Sequence, residues 1–290
     1  MAITKVTTPV TGFESNVDIG LKIPVGTNSN LPTGVEGMIR NDTDEDSGGT
    51  NSTTAITFYN GTAWKYFNST ESPDVVYPTS LKMYLNASDT ASYPGTGTTW
   101  FDLTSNGNNG TISNAPWSSS GYFQFNGSSS YVSTSLTWPG NTTLSYSAWG
   151  YLTSLSVNQF ISGDFDSNGA NSQFRFYVKI TSSNQLQVGT NNGGAGTFYD
   201  FGIMSSYLNT WANITVTVSG TQVKAYVNDT QLGNTAAQST ALSAGVQPTQ
   251  IGVYGPGSNK QNFNGYISKV RFFTAVLTRA EITALHIEGP

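Results

Sequence analysis

Short apolar or β-branched runs, each closed by a turn-forming pair, recur from one end of the chain to the other. They leave little room for any architecture but stacked antiparallel strands. The clearest is Ile214-Thr-Val-Thr-Val218, which alternates strictly, so Ile214, Val216 and Val218 share one face and Thr215 and Thr217 the other. Ser219-Gly220 follows, then Gln222-Val-Lys-Ala-Tyr-Val227, and the pair predicts a hairpin with Val223, Ala225 and Val227 facing inward. Ala55–Tyr59, Gly121–Phe125, Ser145–Trp149 and Phe174–Val178 read as further strands. Asn60-Gly61, Asn106-Gly107, Asn109-Gly110, Asn126-Gly127 and Asn264-Gly265 supply turn chemistry. A single helix is expected, at the C-terminus, where Thr278-Arg-Ala-Glu281 forms a capping box ahead of Ile282, Leu285 and His286.

Composition narrows the chemistry. Charged residues make up 10% of the 290 positions, against about 25% in an ordinary soluble domain. The polar load is instead 35 Ser, 39 Thr, 27 Asn and 31 Gly. The absence of cysteine excludes a disulfide framework, a Cys-ligated metal and a Cys nucleophile, and a lone His286 excludes a histidine pair. Twelve basic residues scattered among 17 acidic ones argue against a nucleic-acid surface. No run approaches the roughly 20 apolar residues needed to span a bilayer. Met1–Val10 has no apolar stretch of the kind a secretory signal requires, so an extracellular type of composition is expected here without an export signal.

A boundary is expected at residues 73–79, where Pro73 and Pro78 bracket Asp74-Val-Val-Tyr77. Residues 1–72 are too few and too poor in apolar side chains to build a large core alone. Residues 80–290 suit one β-sandwich.

From Ser80 onward the chain resembles the concanavalin A-like, laminin-G-type jelly roll. The resemblance rests on Leu81–Leu85, Tyr93-Pro-Gly-Thr-Gly-Thr-Thr-Trp100, Asp102–Thr111, Phe125-Asn-Gly-Ser128, Trp211, Tyr226-Val-Asn228 and Phe263–Arg271, in family order. It implies an all-β fold of two packed antiparallel sheets, the concave one commonly presenting glycans. Residues 18–67 resemble a short module found near the head of bacteriophage fibre and decoration proteins. The matching residues are Leu21–Thr27, Pro32, Gly37–Thr43 and Phe58–Trp64, with a longer loop over residues 44–54 than the usual pattern. This second resemblance implies an anchoring module that contacts other virion proteins through residues 1–72, a homo-oligomer (a trimer being favoured), assembly in a host cytoplasm and a place on the virion surface.

Sugar recognition needs an aromatic face for C–H surfaces and amide, carboxylate or backbone groups for hydroxyls. Trp117, Trp138, Tyr199 and Tyr254 lie in or beside Asn-, Gly- and Ser-rich stretches and are the candidate platforms. Trp100, Trp149 and Trp211 sit within strand patterns and are assigned to the core. Asp164-Phe-Asp166-Ser-Asn168-Gly169 matches the first half of a calcium loop, but position 12 is Arg175. That segment reads either as a polar turn or as a loop-borne calcium site at Asp164, Asp166 and Asn168, with no cofactor required. Asp42–Asp46 reads as a solvated acidic loop, and Gly189–Gly196 as a hairpin tip. His286 is expected to complement the dipole at the helix end. Glycosidases need paired carboxylates, yet all six Glu lie outside residues 72–280, so no catalytic residue is assigned. The leading expectation is a bacteriophage virion structural protein (fibre, head-decoration or appendage subunit) displaying a glycan-binding jelly roll without turnover. A secreted bacterial adhesin module and a β-glucan hydrolase are the alternatives.

Overall fold

The structure, a computed structural model, describes residues 25–26, 39–42, 55–59, 64–66 and 78–290, apart from 139, 141–142, 165–173, 192–195, 238–241, 243, 246 and 255–260. The chain divides into two compact units, Met1–Val76 and Tyr77–Pro290. In the first, Val25–Gly26 (β1), Ile39–Asp42 (β2), Ala55–Tyr59 (β3) and Trp64–Tyr66 (β4) form one sheet in that order. The β1–β2 pair is parallel and the others are antiparallel. The remaining N-terminal motif residues, the acidic residues Asp44–Asp46 and the Asn60-Gly61 turn lie outside the described residues.

The second unit is a sandwich of two sheets. Its further strands are Leu81–Asn86 (β5), Thr99–Trp100 (β6), Gly110–Ser113 (β7), Trp117–Ser118 (β8), Tyr122–Asn126 (β9), Tyr131–Thr137 (β10), Leu144–Leu152 (β11) and Gln159–Asp164 (β12). They continue with Phe176–Ile180 (β13), Gln185–Thr190 (β14), Thr197–Ile203 (β15), Trp211–Val218 (β16), Gln222–Val227 (β17), Thr230–Ala237 (β18), Pro248–Ile251 (β19) and Asn264–Phe273 (β20). Sheet one runs β15-β14-β13-β12-β19-β10-β7-β6. Sheet two runs β18-β17-β16-β11-β20-β9-β8, with β5 pairing β20 beyond the end of β9. One helix, Arg279–Ile287 (α1), follows.

The jelly-roll expectation holds. The hairpin read from alternation forms in register, Ile214 opposite Val227, Val216 opposite Ala225 and Val218 opposite Val223, all buried between the sheets. Burying each of these valine and isoleucine side chains stabilises by about 1.5–3 kcal/mol. The next connection, Asn228-Asp229, has positive φ at both residues (52° and 59°), the two-residue turn that matches strand twist. Two of the five Asn-Gly pairs are not turns. Gly110 lies in β7, where a Cβ would sit 2.6 Å from Val132 Cγ1, and Gly265 lies in β20, where a Cβ would strike the Tyr151 carbonyl. Close strand approach selects glycine there.

Asp102 and Asn108 hold a loop to β5. Asp102 Oδ1 accepts from the Tyr84 and Thr104 amides (2.9 and 3.0 Å), and its Oδ2 accepts from the Asn108 amide at 2.8 Å. Asn108 Nδ2 in turn donates to the Lys82 carbonyl at 2.7 Å.

The helix caps as its sequence predicts. The Thr278 hydroxyl accepts from the Glu281 amide, and Glu281 Oε2 accepts from the Thr278 amide at 2.7 Å. It packs on the outer face of sheet two over Leu81, Tyr84, Phe273 and Leu277, with Ile282 as its buried anchor. His286, in the last turn, stacks on Trp149 with ring centroids 5.8 Å apart. Just beyond, Glu288 receives Arg271 Nη2 and lies 3.2 Å from Lys269 Nζ, while Tyr84 donates to it at 2.8 Å. Burial opposes ionisation of Glu288, but Arg271, Lys269 and these hydrogen bonds together hold its carboxyl below the usual range.

Glu288→Gln leaves two buried cations without their counter-charge. Because the glutamate side chain is 35% exposed, the expected loss is about 1–2 kcal/mol, discounted from the value for a fully buried pair. The folded carboxyl titrates below its free value of 4.5, so the contribution is full above that pH and is lost as pH falls through the folded value. Urea unfolding at pH 7 and pH 3 should show a difference between wild type and variant that shrinks in acid.

Candidate functional site

Alternation in β12–β15 sends Val178, Ile180, Leu186, Val188 and Phe201 into the core and their neighbours to the outer face of sheet one. Register then aligns Phe160, Lys179, Gln187 and Asp200 in a row across four strands, with Tyr177, Gly189 and Phe198 in the next. A Cβ at Gly189 would collide with the Tyr177 ring, so glycine lets that ring lie over the neighbouring strand.

Tyr254, half-buried, stacks on Phe160 at 4.3 Å and 20°. Phe160 meets Tyr177 edge-on at 5.0 Å, and Phe198, 54% exposed, lies 6.1 Å from Tyr177. Lys179 Nζ stands 5.3 Å from the Phe160 centroid and 5.6 Å from that of Tyr177. The Tyr177 hydroxyl donates to Gln187 Oε1 at 2.8 Å, and Gln187 Nε2 donates to Asp200 Oδ1 at 2.8 Å. Burial lowers the Lys179 pKa against the opposing pull of Asp200. Burial also raises Tyr177, with Tyr254 and Asp200 adding to it, and raises Tyr254. The face therefore combines ring surface, an ammonium donor and a carboxylate acceptor, a set that can hold C–H surfaces and hydroxyls together.

Of the four aromatic candidates, only Tyr254 joins this cluster. Tyr199 is 8% exposed because β15 turns it inward, while its neighbours Phe198 and Asp200 face out. The loop composition around it pointed one residue away from the exposed ring. Trp138 is 3% exposed and packed in the core. Trp117 packs at the sandwich edge against Tyr93, 5.5 Å away, and donates to the Ala87 carbonyl at 2.9 Å. Trp100 and Trp149 are buried as expected, but Trp211 is half-exposed: as the first residue of β16 it points away from Ala212 and out of the sandwich. Lys179, Gln187 and Asp200 carried no local motif; only cross-strand register brings them together.

Asp164 is 2% exposed. Its Oδ1 accepts from the Arg175 and Phe176 amides at 2.9 and 2.7 Å, tying β12 to β13, while Oδ2 has no hydrogen-bond partner. Asp166 and Asn168 lie outside the described residues. The described part of this segment thus offers one unengaged carboxylate oxygen, against the six to eight oxygens that calcium takes. Among the described residues no group of three or more His, Cys, Asp or Glu side chains could hold a metal.

Residues 125–283 match the family described as the concanavalin A-like lectin/glucanases superfamily. The chain belongs to that family. Among solved structures it is similar to a mutant Trypanosoma rangeli sialidase displaying trans-sialidase activity, at 19% identity and TM-score 0.53, over 73% of this chain and 33% of that one. It is also similar to the binding domain of botulinum neurotoxin serotype G, at 13% identity and TM-score 0.53, over 72% and 51%. At these identities the likeness is one of fold, and the chain spans a third to a half of the structures it matches. Comparison with curated protein sequences finds no match. The family match begins at Phe125, and none of these findings supports the bacteriophage resemblance of the N-terminal module.

Burial pushes the Asp164 carboxyl up to about 7, against the backbone hydrogen bonds and the Arg175 charge that lower it. The fold therefore favours the protonated acid. Its stabilising contribution is full below the free value of 3.8 and is lost as pH rises through 7. Replacing Asp164 by Asn should flatten the fall in melting temperature between roughly pH 4 and 8, measured by differential scanning calorimetry.

Proposed function

We propose that the jelly roll is a carbohydrate-binding display module that holds glycans without turning them over. The observation that carries this reading is the row Phe160–Lys179–Gln187–Asp200, with Tyr254 stacked at one end and Phe198 exposed beside the other. Tyr254 and Phe198 offer ring surface to a pyranose, and Lys179 and Asp200 offer a donor and an acceptor to its hydroxyls. Asp200 is the one acid in that row, whereas glycoside cleavage uses two. The setting proposed for the module is a virion appendage of a bacteriophage, attached to other virion proteins through residues 1–72 and assembled as a homotrimer. That part rests on the N-terminal resemblance through Leu21–Thr27, Gly37–Thr43 and Phe58–Trp64.

A glycan array probed with the purified full chain should return bound oligosaccharides, with no release of reducing ends on prolonged incubation. Tyr254→Ala and Lys179→Ala should each weaken binding at this face about tenfold or more, about 1.4 kcal/mol. Array signals indifferent to both substitutions would remove this site. Mass spectrometry of purified particles tests the setting. Deleting residues 1–72 should empty the particles of this protein, and particles that stay fully occupied would refute the anchoring role.

A further inference from the structure

The outer face of sheet two is divided. One half lies beneath α1, and there two aromatic tips are engaged: Trp149 Nε1 donates to the Leu285 carbonyl at 3.1 Å and the Tyr84 hydroxyl to Glu288. The other half carries four half-exposed rings, Tyr122, Tyr151, Trp211 and Tyr266, with no element of the described chain over them.

Register places Gln124, Tyr266, Tyr151 and Trp211 directly opposite one another on β9, β20, β11 and β16. Strand spacing makes that row about 14 Å long, the reach of a short oligosaccharide. The rings form one continuous surface. Tyr151 and Tyr266 are 5.1 Å apart at 31°, Tyr122 and Tyr266 4.8 Å at 31°, and Tyr151 and Trp211 5.7 Å at 70°. Three phenol hydroxyls and the Trp211 indole N–H make no hydrogen bond within the described residues. Tyrosine and tryptophan tips normally find partners where protein covers them.

Beside Tyr266 opens a cavity of about 420 Å³, lined by Asn114, Gln124, Asn126, Thr153 and Asn264 and by no charged side chain. Two of these amides are fixed by the fold. Asn126 Oδ1 accepts from the Ser128 and Ser129 amides at 3.0 and 2.8 Å, and Asn264 Oδ1 accepts from the Thr153 hydroxyl at 3.1 Å. Asn114 and Gln124 make no side-chain hydrogen bond among the described residues, so both can donate and accept toward a ligand.

We propose that this face is a second carbohydrate site, distinct from the Tyr254 row and selective for an uncharged oligosaccharide. The rings would cover pyranose C–H surfaces, and the free amides and phenols would take hydroxyls. A rim of amides and hydroxyls suits a ligand dense in hydroxyls; a protein partner would leave those groups to be desolvated without matched partners. Because the lining is uncharged, binding here depends little on salt, whereas the first site carries Lys179 and Asp200. Two sites of different chemistry on opposite sheets would let one module bridge two glycan chains. The proposal rests on sheet-two residues and stands or falls apart from the Tyr254 site.

Affinity electrophoresis of the full chain through dextran, laminarin, hydroxyethylcellulose and galactomannan tests it. At least one gel should retard the protein, with retardation unchanged in about 0.5 M sodium chloride, where charge effects are screened. Trp211→Ala should weaken that binding about tenfold or more, and the exposed substitution Gln124→Ala should weaken it without changing the melting temperature. Tyr254→Ala should leave it intact. Passage through all four gels unretarded would overturn the proposal, as would retardation indifferent to Trp211→Ala and Gln124→Ala. A dimer seen by light scattering and abolished by Trp211→Ala would assign the face to a second copy instead, and equally overturn it.

Discussion

One extra residue in β20, a central strand of the second sheet, sets which of its side chains face out. Trp149 pairs with Lys269 and Gly150 with Ile267, so Ser268 has no partner of its own on β11 and bulges. The insertion shifts the two-residue period. Ile267, Val270 and Phe272 all reach the core, while Tyr266, Lys269 and Arg271 all face out. Unbroken alternation would send Lys269 inward with Ile267. Because of the bulge, the first half of the strand presents a bare tyrosine and the second half presents two cations to Glu288. The helix-covered and open halves of that face follow from this strand.

The low charge of the chain acquires a structural reason. Hydroxyl and amide side chains do work that ion pairs do elsewhere. Beneath α1, Asn213 Nδ2 donates to Ser147 Oγ and Thr215 Oγ1 donates to Asn213 Oδ1, at 3.2 and 2.9 Å. These groups satisfy buried polar atoms without the desolvation cost of charge. Charged groups act at particular places, among them the Asp102 loop, the Glu288 cluster and the Lys179–Asp200 row.

The two sheets present different chemistry outward. Sheet one sets a cation and an acid among rings that are themselves mostly buried. Sheet two sets half-exposed rings beside neutral amides. Both arrangements use the same device: residues from 8 positions apart (Lys179 and Gln187) to 142 apart (Gln124 and Tyr266) meet because adjacent strands place them in one register row. A two-residue period decides which residues of each strand contribute, and glycines at 189 and 265 clear the space those rows need.

Much of this architecture could be read from the chain itself. Strand alternation determined the inward set of β16 and β17, and the capping box determined the start of α1. These are local signals, carried by periods of two and by caps spanning four residues. The site was a different matter. The glycine-rich stretch beside Tyr254 marks a ring that the fold leaves half-buried, whereas Trp138 and Tyr199 turn into the core, since loop composition does not say which way a ring turns. Trp211 was misread as core because a strand pattern alone does not distinguish its two faces. Lys179, Gln187 and Asp200, like Gln124, Tyr151 and Tyr266, became neighbours only through strand order, register and one bulge. Those depend on which strands pair and in which register, which tertiary packing sets and no local motif marks.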